Sequence, residues 1–223
     1  LLDDDSLALL RQSAEAHQEL GLKGKVLGVD HLATRVLAGE REDSILEFLT
    51  MVPYYFWGAY NIAEMNSSTN VTRHPAVLDE KISPARVFTA NNIPSYLNSI
   101  LNLPMPTEDF VRNFGRRMHH MAYEVMDGAI SGAAGEPEEK NIDFVVRSLS
   151  QKGVPFLADV VGECSDQANL KQIFSKSSAH SLLITEYIQR CMGYDGFFTR
   201  DNVAALTEAA GYDERYSHGL VFD

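Results

Sequence analysis

The sequence predicts an α+β fold of two βαβββ modules curled into a half-barrel, with a helix before them and a helix after. Three observations carry this. The segments 25–36 and 118–126 alternate like strands, and each is followed by a helical stretch. Three further strand-like runs complete the second half. The two alternating segments also echo one another in phase, VDHLATRV against HHMAYEV. Parallel strands cannot be joined by tight hairpins, so the helix after each first strand supplies the crossover.

The elements follow in order. Asp3, Asp4, Asp5 and Ser6 offer an N-cap and a negative first turn, so Leu7 to Leu20 reads as a helix stopped by Gly21. Lys25 to Val36 is a strand with Val29, His31, Ala33 and Arg35 on one face and Asp30, Leu32, Thr34 and Val36 on the other. Ser44 to Thr50 is a short amphipathic helix ending before Pro53. Tyr54 to Trp57 is an aromatic strand or turn. Residues 65–85 are polar and broken by Pro75 and Pro84, which predicts a loop with strand pieces. Arg86 to Thr89 is a short strand, Ile93 to Leu103 an irregular helix, and Thr107 caps another helix ended by Gly115.

Met118 to Met126 opens the second module. Asp127 to Glu139, rich in Gly, Ala and Glu, reads as a surface loop. Asn141 caps a helix terminated by Gly153. Pro155 to Val161, Leu170 to Ser175 and Leu182 to Arg190 read as strands, and Asp201 to Ala210 as a closing helix. The organisation is therefore an N-terminal helical segment (1–24), an irregular first module (25–115), and a second module with its C-terminal helix (116–223).

With 223 residues, 45% of them hydrophobic, the chain can bury a full core. Its net charge of -12 and the lack of a basic stripe argue against a nucleic-acid surface. No apolar run is long enough to span a bilayer. Cys164 and Cys191 lie far apart with no CxxC partner, so they read as reduced thiols of a cytoplasmic protein. The sequons at Asn66 and Asn70 read as chance matches in a polar loop. The chain begins at Leu1 rather than Met, which leaves room for an upstream segment.

Three strand-like segments each carry one metal-capable side chain: His31, His120 and Glu186. Two imidazoles and one carboxylate are the facial triad that holds non-haem Fe(II) and leaves positions open. Glu186 sits among Leu182, Leu183, Ile184 and Ile188, where a lone carboxylate is costly unless paired or bound to metal. An ion pair with Arg190, four residues on, is the competing explanation. His119 and His120 point to opposite faces of one strand, so both do not readily bind the same metal. His119 is a pocket-edge, second-layer or outward-facing residue. Asp30 adds little to His31, since strand neighbours diverge.

At these residues the chain resembles the vicinal-oxygen-chelate superfamily, whose glyoxalase-like half-barrels pair two such modules. More closely it resembles the catalytic domain of 4-hydroxyphenylpyruvate dioxygenase and hydroxymandelate synthase. NLKQIFSKSSAHSLLITEYIQR is similar to that family's Leu-Gln-Ile-Phe-Thr-Lys…Glu-Ile-Ile-Gln-Arg stretch. The resemblance implies Glu186 as iron ligand and Gln172 and Phe174 as substrate-pocket residues. MHHMAYEV and VDHLATRV resemble the two histidine strands, which implies His120 and His31 as ligands. GFFTRDNVAAL resembles the gating segment and implies substrate contacts for Phe198 and Asn202. Departures are equally plain: His119 stands where the family has a substrate-contacting Gln, and Thr199 and Asp201 replace two glycines.

The implied activity is that of a non-haem Fe(II) dioxygenase on a small 2-oxo acid or similar chelating substrate, with O2 as co-substrate and Fe(II) as cofactor. No nucleic-acid or membrane partner is expected, and a homodimer is an admissible assembly. The alternatives are another metal-dependent reaction of the superfamily (extradiol cleavage, lyase or isomerase chemistry, with Glu124 as a further carboxylate) or a small-molecule-binding relative without catalysis.

Overall fold

The computed structural model describes residues 2–75, 83–94, 105–131, 137–164, 169–211 and 213. Its first helix, α1 (Asp4–Glu19), is capped by Asp3, whose Oδ1 accepts from the Ser6 amide at 2.8 Å. None of its residues is buried.

The first module runs β1 (Val26–Arg35), α2 (Arg41–Met51), β2 (Tyr55–Ile62), β3 (Ser67–Arg73) and β4 (Ala85–Asn91). After α3 (Pro106–Phe114), the second runs β5 (Arg117–Val125), the ribbon β6 (Ala129–Ile130) and β7 (Glu139–Lys140), α4 (Asn141–Gln151), β8 (Val161–Gly162), β9 (Asn169–Phe174) and β10 (Ile184–Cys191). Helix α5 (Arg200–Gly211) follows.

Eight strands form one sheet in the order β2-β3-β4-β1-β5-β10-β9-β8. Within each half, the first strand lies parallel to the last: β1 with β4, and β5 with β10. The halves meet where β1 and β5 run antiparallel. The predicted α+β half-barrel of paired βαβββ units is therefore the observed fold, and the three strands carrying His31, His120 and Glu186 are adjacent at its centre.

Helices α3 and α5 close one side of this central region. Phe110 and Val111 from α3 pack with Phe174, Ile184, Leu206 and Ala210 in one buried cluster. Elsewhere α4 contributes Ile142, Val145 and Leu149 to a cluster with Leu22, Val125 and Ile173. Helix α2 lays Phe48 against Phe88 of β4, with ring centroids 5.8 Å apart.

Several expectations are corrected. The polar stretch 65–85 contains a full strand, β3, with Ser67 to Thr72 all buried. Apart from Val71, which joins the core, its side chains are polar, but it shares its backbone groups with β2 and β4, and Thr72 Oγ1 donates to the Arg86 carbonyl at 2.9 Å. The sequon asparagines are both buried, Asn70 on β3 and Asn66 in the turn that precedes it. The 127–139 loop carries the β6–β7 ribbon at its ends. The strand expected over Pro155 to Val161 shrinks to an isolated Phe156–Ser175 bridge and the two-residue β8. The irregular helix expected from Ile93 falls mainly on residues 95–104, outside those described. Finally, Cys164 and Cys191 are not free thiols but form a disulfide, with Cα atoms 5.6 Å apart. Sequence distance hid this, because β8, β9 and β10 are hairpin neighbours that bring the two ends together. No helix among the described residues is long and apolar enough to cross a membrane.

Candidate metal centre

Strand register assembles the triad. His31 on β1 and Glu186 on β10 both lie opposite Ala122 of β5, one on each side. His120 is two residues from Ala122 on β5, and the methyl side chain of Ala122 leaves the space between them open. One ligand atom from each of His31, His120 and Glu186 falls within a 4.8 Å cluster. Glu186 Oε2 lies 3.1 Å from His31 Nε2 and 3.4 Å from His120 Nε2. His31 Nε2 is fully buried and faces Glu186 Oε2 without a well-aligned hydrogen bond. Buried polar atoms need a partner, and a divalent cation between these atoms would serve all three. The donor set of two nitrogens and one oxygen suits such an ion. Glu124, the further carboxylate considered above, is not part of the cluster.

Two of the three ligands, His31 and Glu186, are held from behind by hydrogen bonds. Asp30 Oδ1 lies 2.8 Å from His31 Nδ1, a contact that directs Nε2 toward the metal position. The expectation that Asp30 points away is corrected. Between Val29 and His31 the β1–β5 register slips, because only Tyr123 and Ala122 stand opposite these three residues. Asp30 is thus the extra residue of a β-bulge, and strict alternation fails there. Arg190 does not pair with Glu186 but with Asp30, donating from Nε to Oδ2 at 3.1 Å and from Nη2 to Oδ1 at 2.9 Å. On the other side, Gln172 Nε2 donates to Glu186 Oε1 at 2.6 Å, and Asn202 Nδ2 donates to Gln172 Oε1 at 3.1 Å.

This electrostatic setting separates the two imidazoles. Burial lowers the His31 pKa, but Glu186 and Asp30 outweigh it and raise the pKa to about 9. His120 is pushed well below the usual histidine value by burial and by the charges of His31 and Arg35. Burial opposes ionisation of Asp30, yet its contacts with His31 and Arg190 hold its carboxyl well below the usual range.

Beside the triad lies a cavity with about 50 Å³ of room for water, lined among others by Arg35, Thr69, Thr89, His119, Phe174 and Phe198. His119 is buried, at 1% exposure, and its ring packs at 5.0 Å from Phe110. It is the extra residue of a second bulge, since His120 and Met118 stand opposite the consecutive residues Ala33 and Thr34. That slip lets His119 line the same cavity as His120. Phe198 lines the cavity and lies 5.1 Å from the His31 ring. Gln172 touches both the cavity and Glu186, whereas Asn202 reaches the site only through Gln172. Asp30, Arg35, Thr69, Thr89 and Arg190 were not singled out from sequence as site residues. Two of them carried a usable signal, Arg35 by sharing the predicted face of His31 and Arg190 by sharing that of Glu186.

No protein-family profile matches the chain, and no curated protein matches it in sequence. Solved structures do match. A variant of 4-hydroxymandelate synthase from Streptomyces coelicolor superposes with a TM-score of 0.62 at 20% identity, over 86% of this chain. This chain spans only 57% of that one. The hydroxyglutarate synthase of Oryza sativa, determined with 2-oxoadipate, gives a TM-score of 0.62 at 11% identity and covers 96% of both chains. A putative hydrolase from Shewanella frigidimarina gives 0.55 at 18% identity, over 87% of this chain and 93% of its own.

Proposed function

We propose that this chain, whose fold is that of the vicinal-oxygen-chelate proteins, is a mononuclear Fe(II)-dependent dioxygenase acting on a small 2-oxo acid. The observation that carries the reading is the convergence of His31, His120 and Glu186 beside a partly aromatic cavity. A two-histidine, one-carboxylate set leaves coordination positions for substrate and O2, and iron held there supplies the redox chemistry.

The protein's own contributions can be derived from its side chains. Asp30 and Gln172 fix the directions in which His31 and Glu186 present their ligand atoms. His120 presents a neutral imidazole, because burial and nearby positive charge disfavour its protonation. Phe174 and Phe198, both buried, give the cavity an apolar wall. Arg35 lines the cavity together with Thr69 and Thr89, its guanidinium also donating to the Pro106 carbonyl at 3.1 Å and lying over the Phe110 ring. These groups suit a substrate with a second acidic or polar group at its far end. That the Oryza sativa structure holds 2-oxoadipate, a dicarboxylic 2-oxo acid, supports this class.

The test is metal content after anaerobic Fe(II) reconstitution, wild type against Glu186→Ala, followed by O2 uptake with dicarboxylic and aryl 2-oxo acids. One iron per chain, lost in the variant, and substrate-dependent O2 uptake are expected. Equal metal in both proteins, or none in either, would overturn the metal centre. Stoichiometric Zn or Ni with no O2 uptake would overturn the oxygenase and favour a non-oxidative reaction at the same ligands.

A further inference from the structure

We propose that Arg190 is a positioning residue that ties the orientation of His31 to closure of the segment over the cavity. This deepens the metal-centre reading and rests on it.

One guanidinium makes two sets of contacts. Through Nε and Nη2 it grips both carboxylate oxygens of Asp30, at 3.1 and 2.9 Å, and Asp30 in turn holds His31 Nδ1. Through Nη1 it donates to the carbonyl oxygens of Gly196 and Phe197, at 2.9 and 2.8 Å. Those two residues begin the turn that carries Phe198 over the cavity and leads into α5. The Phe197 and Phe198 rings lie 5.4 and 5.1 Å from the His31 ring. Beyond them, Asn202 on α5 reaches Glu186 through Gln172. Two routes therefore link the cover to the ligands, and in the first Arg190 hydrogen-bonds both Asp30 and the backbone of the turn.

A planar fork with fixed donor directions can do this, whereas a lysine ammonium cannot hold both carboxylate oxygens and two carbonyls in the same geometry. The arrangement also has a use. With about 50 Å³ of room beside the triad, the space holds a few water molecules by the usual measure of about 10–15 Å³ each. A substrate of several carbons needs the Phe198 segment to move. Because Arg190 is shared, the segment's closed position and the productive orientation of His31 favour each other, and such coupling is reciprocal.

The chain carries its own reporter. Its single tryptophan, Trp57, packs against Phe197 with ring centroids 6.0 Å apart. The Arg73 guanidinium lies over both rings, at 5.1 and 5.3 Å.

The experiment titrates Co(II) into the metal-free full chain. Binding is read from Co(II) absorption, and closure from acrylamide quenching of Trp57. Wild type is expected to bind Co(II) and to become less quenchable as the site fills. Glu186→Ala should do neither. Arg190→Lys should bind about 10–100-fold more weakly, the usual cost of losing an outer partner of a ligand. At saturating Co(II) it should keep the quenching of the metal-free protein. Asp30→Asn should behave alike, and it carries the test if Arg190→Lys fails to fold. A purely structural Arg190 would lower the melting temperature but leave full Trp57 protection at saturation, and that result overturns the proposal. So does wild-type affinity in both variants, or a wild type whose Trp57 ignores Co(II). Wild type that binds no Co(II), or binds it regardless of Glu186, removes the metal centre itself and the proposal with it.

Discussion

Raising the pH should strengthen metal binding by displacing a single proton. In the metal-free protein His31 keeps its proton up to a pKa of about 9, because Glu186 and Asp30 outweigh the effect of burial. His120 is already neutral near pH 7, since burial and neighbouring positive charge depress it. A metal therefore has to expel one proton, from His31, at any pH below about 9. At pH 7, two units below that value, this competition weakens binding about 100-fold, and each unit of pH recovers about tenfold.

The same group gives the opposite trend in stability without metal. A pKa raised above the unfolded value of 6.5 stabilises the fold fully below pH 6.5, and the contribution is lost as pH rises through about 9. The full size is about 3 kcal/mol at 1.36 kcal/mol per pKa unit. Calorimetry with Co(II) in two buffers of different ionisation enthalpy, between pH 6.5 and 8.0, counts the protons released. Thermal melts of the metal-free protein over pH 6 to 9 measure the second trend. Near-zero proton release, a pH-independent affinity, or a metal-free protein that gains stability on alkalinisation would each refute the reasoning.

Three further outcomes are expected. Arg35→Met should raise KM for dicarboxylic 2-oxo acids at least tenfold, a loss of about 1.4 kcal/mol or more, in the range for a hydrogen bond to a charged group; monocarboxylic substrates should change little in steady-state assays. Gly162→Ala should destabilise the fold by about 3 kcal/mol or more in denaturant titrations: Gly162 has φ +86°, and an added Cβ would collide with the Leu170 carbonyl and the Asn202 side chain. Cys191→Ser should cost about 3–4 kcal/mol by the loop-entropy argument for a bond spanning 27 residues, measured as a lower melting temperature than that of the oxidised wild type.

Much of the architecture was legible because it rests on patterning. The alternation of VDHLATRV and HHMAYEV and the helical stretches after them are local signals, and they correspond to β1, β5, α2 and α4. What escaped was non-local. The strand β3, SSTNVTR, is mostly Ser, Thr and Asn, which read as a loop with strand pieces, yet it is a full strand between β2 and β4 and is buried by tertiary context. The cysteine pairing likewise depends on hairpin neighbours that bring positions 164 and 191 together. Arg190 was visible as a charge on the face of Glu186, but its partner Asp30 is 160 residues away. Sequence spacing carries no information about a contact of that kind.

The two bulges explain why the layers around the ligands were the hardest part to read. Alternation assigns Asp30 and His119 to the faces opposite His31 and His120, and a regular ladder would put them there. Each is instead the extra residue in a slip of the β1–β5 register, and each slip falls directly beside a metal-capable histidine. The slip in β1 turns a carboxylate toward the back of His31. The slip in β5 brings a second imidazole into the cavity beside His120. A straight, fully paired β1–β5 ladder could supply the two ligands but neither neighbour. The bulges cost regular pairing at the middle of the sheet, and what they supply is an oriented ligand and a polar cavity wall. Register shifts occur elsewhere too, between Val26 and Val29 of β1 and between Phe56 and Gly58 of β2, but only these two place a polar side chain beside a ligand, which is what a site built on a repeated scaffold requires.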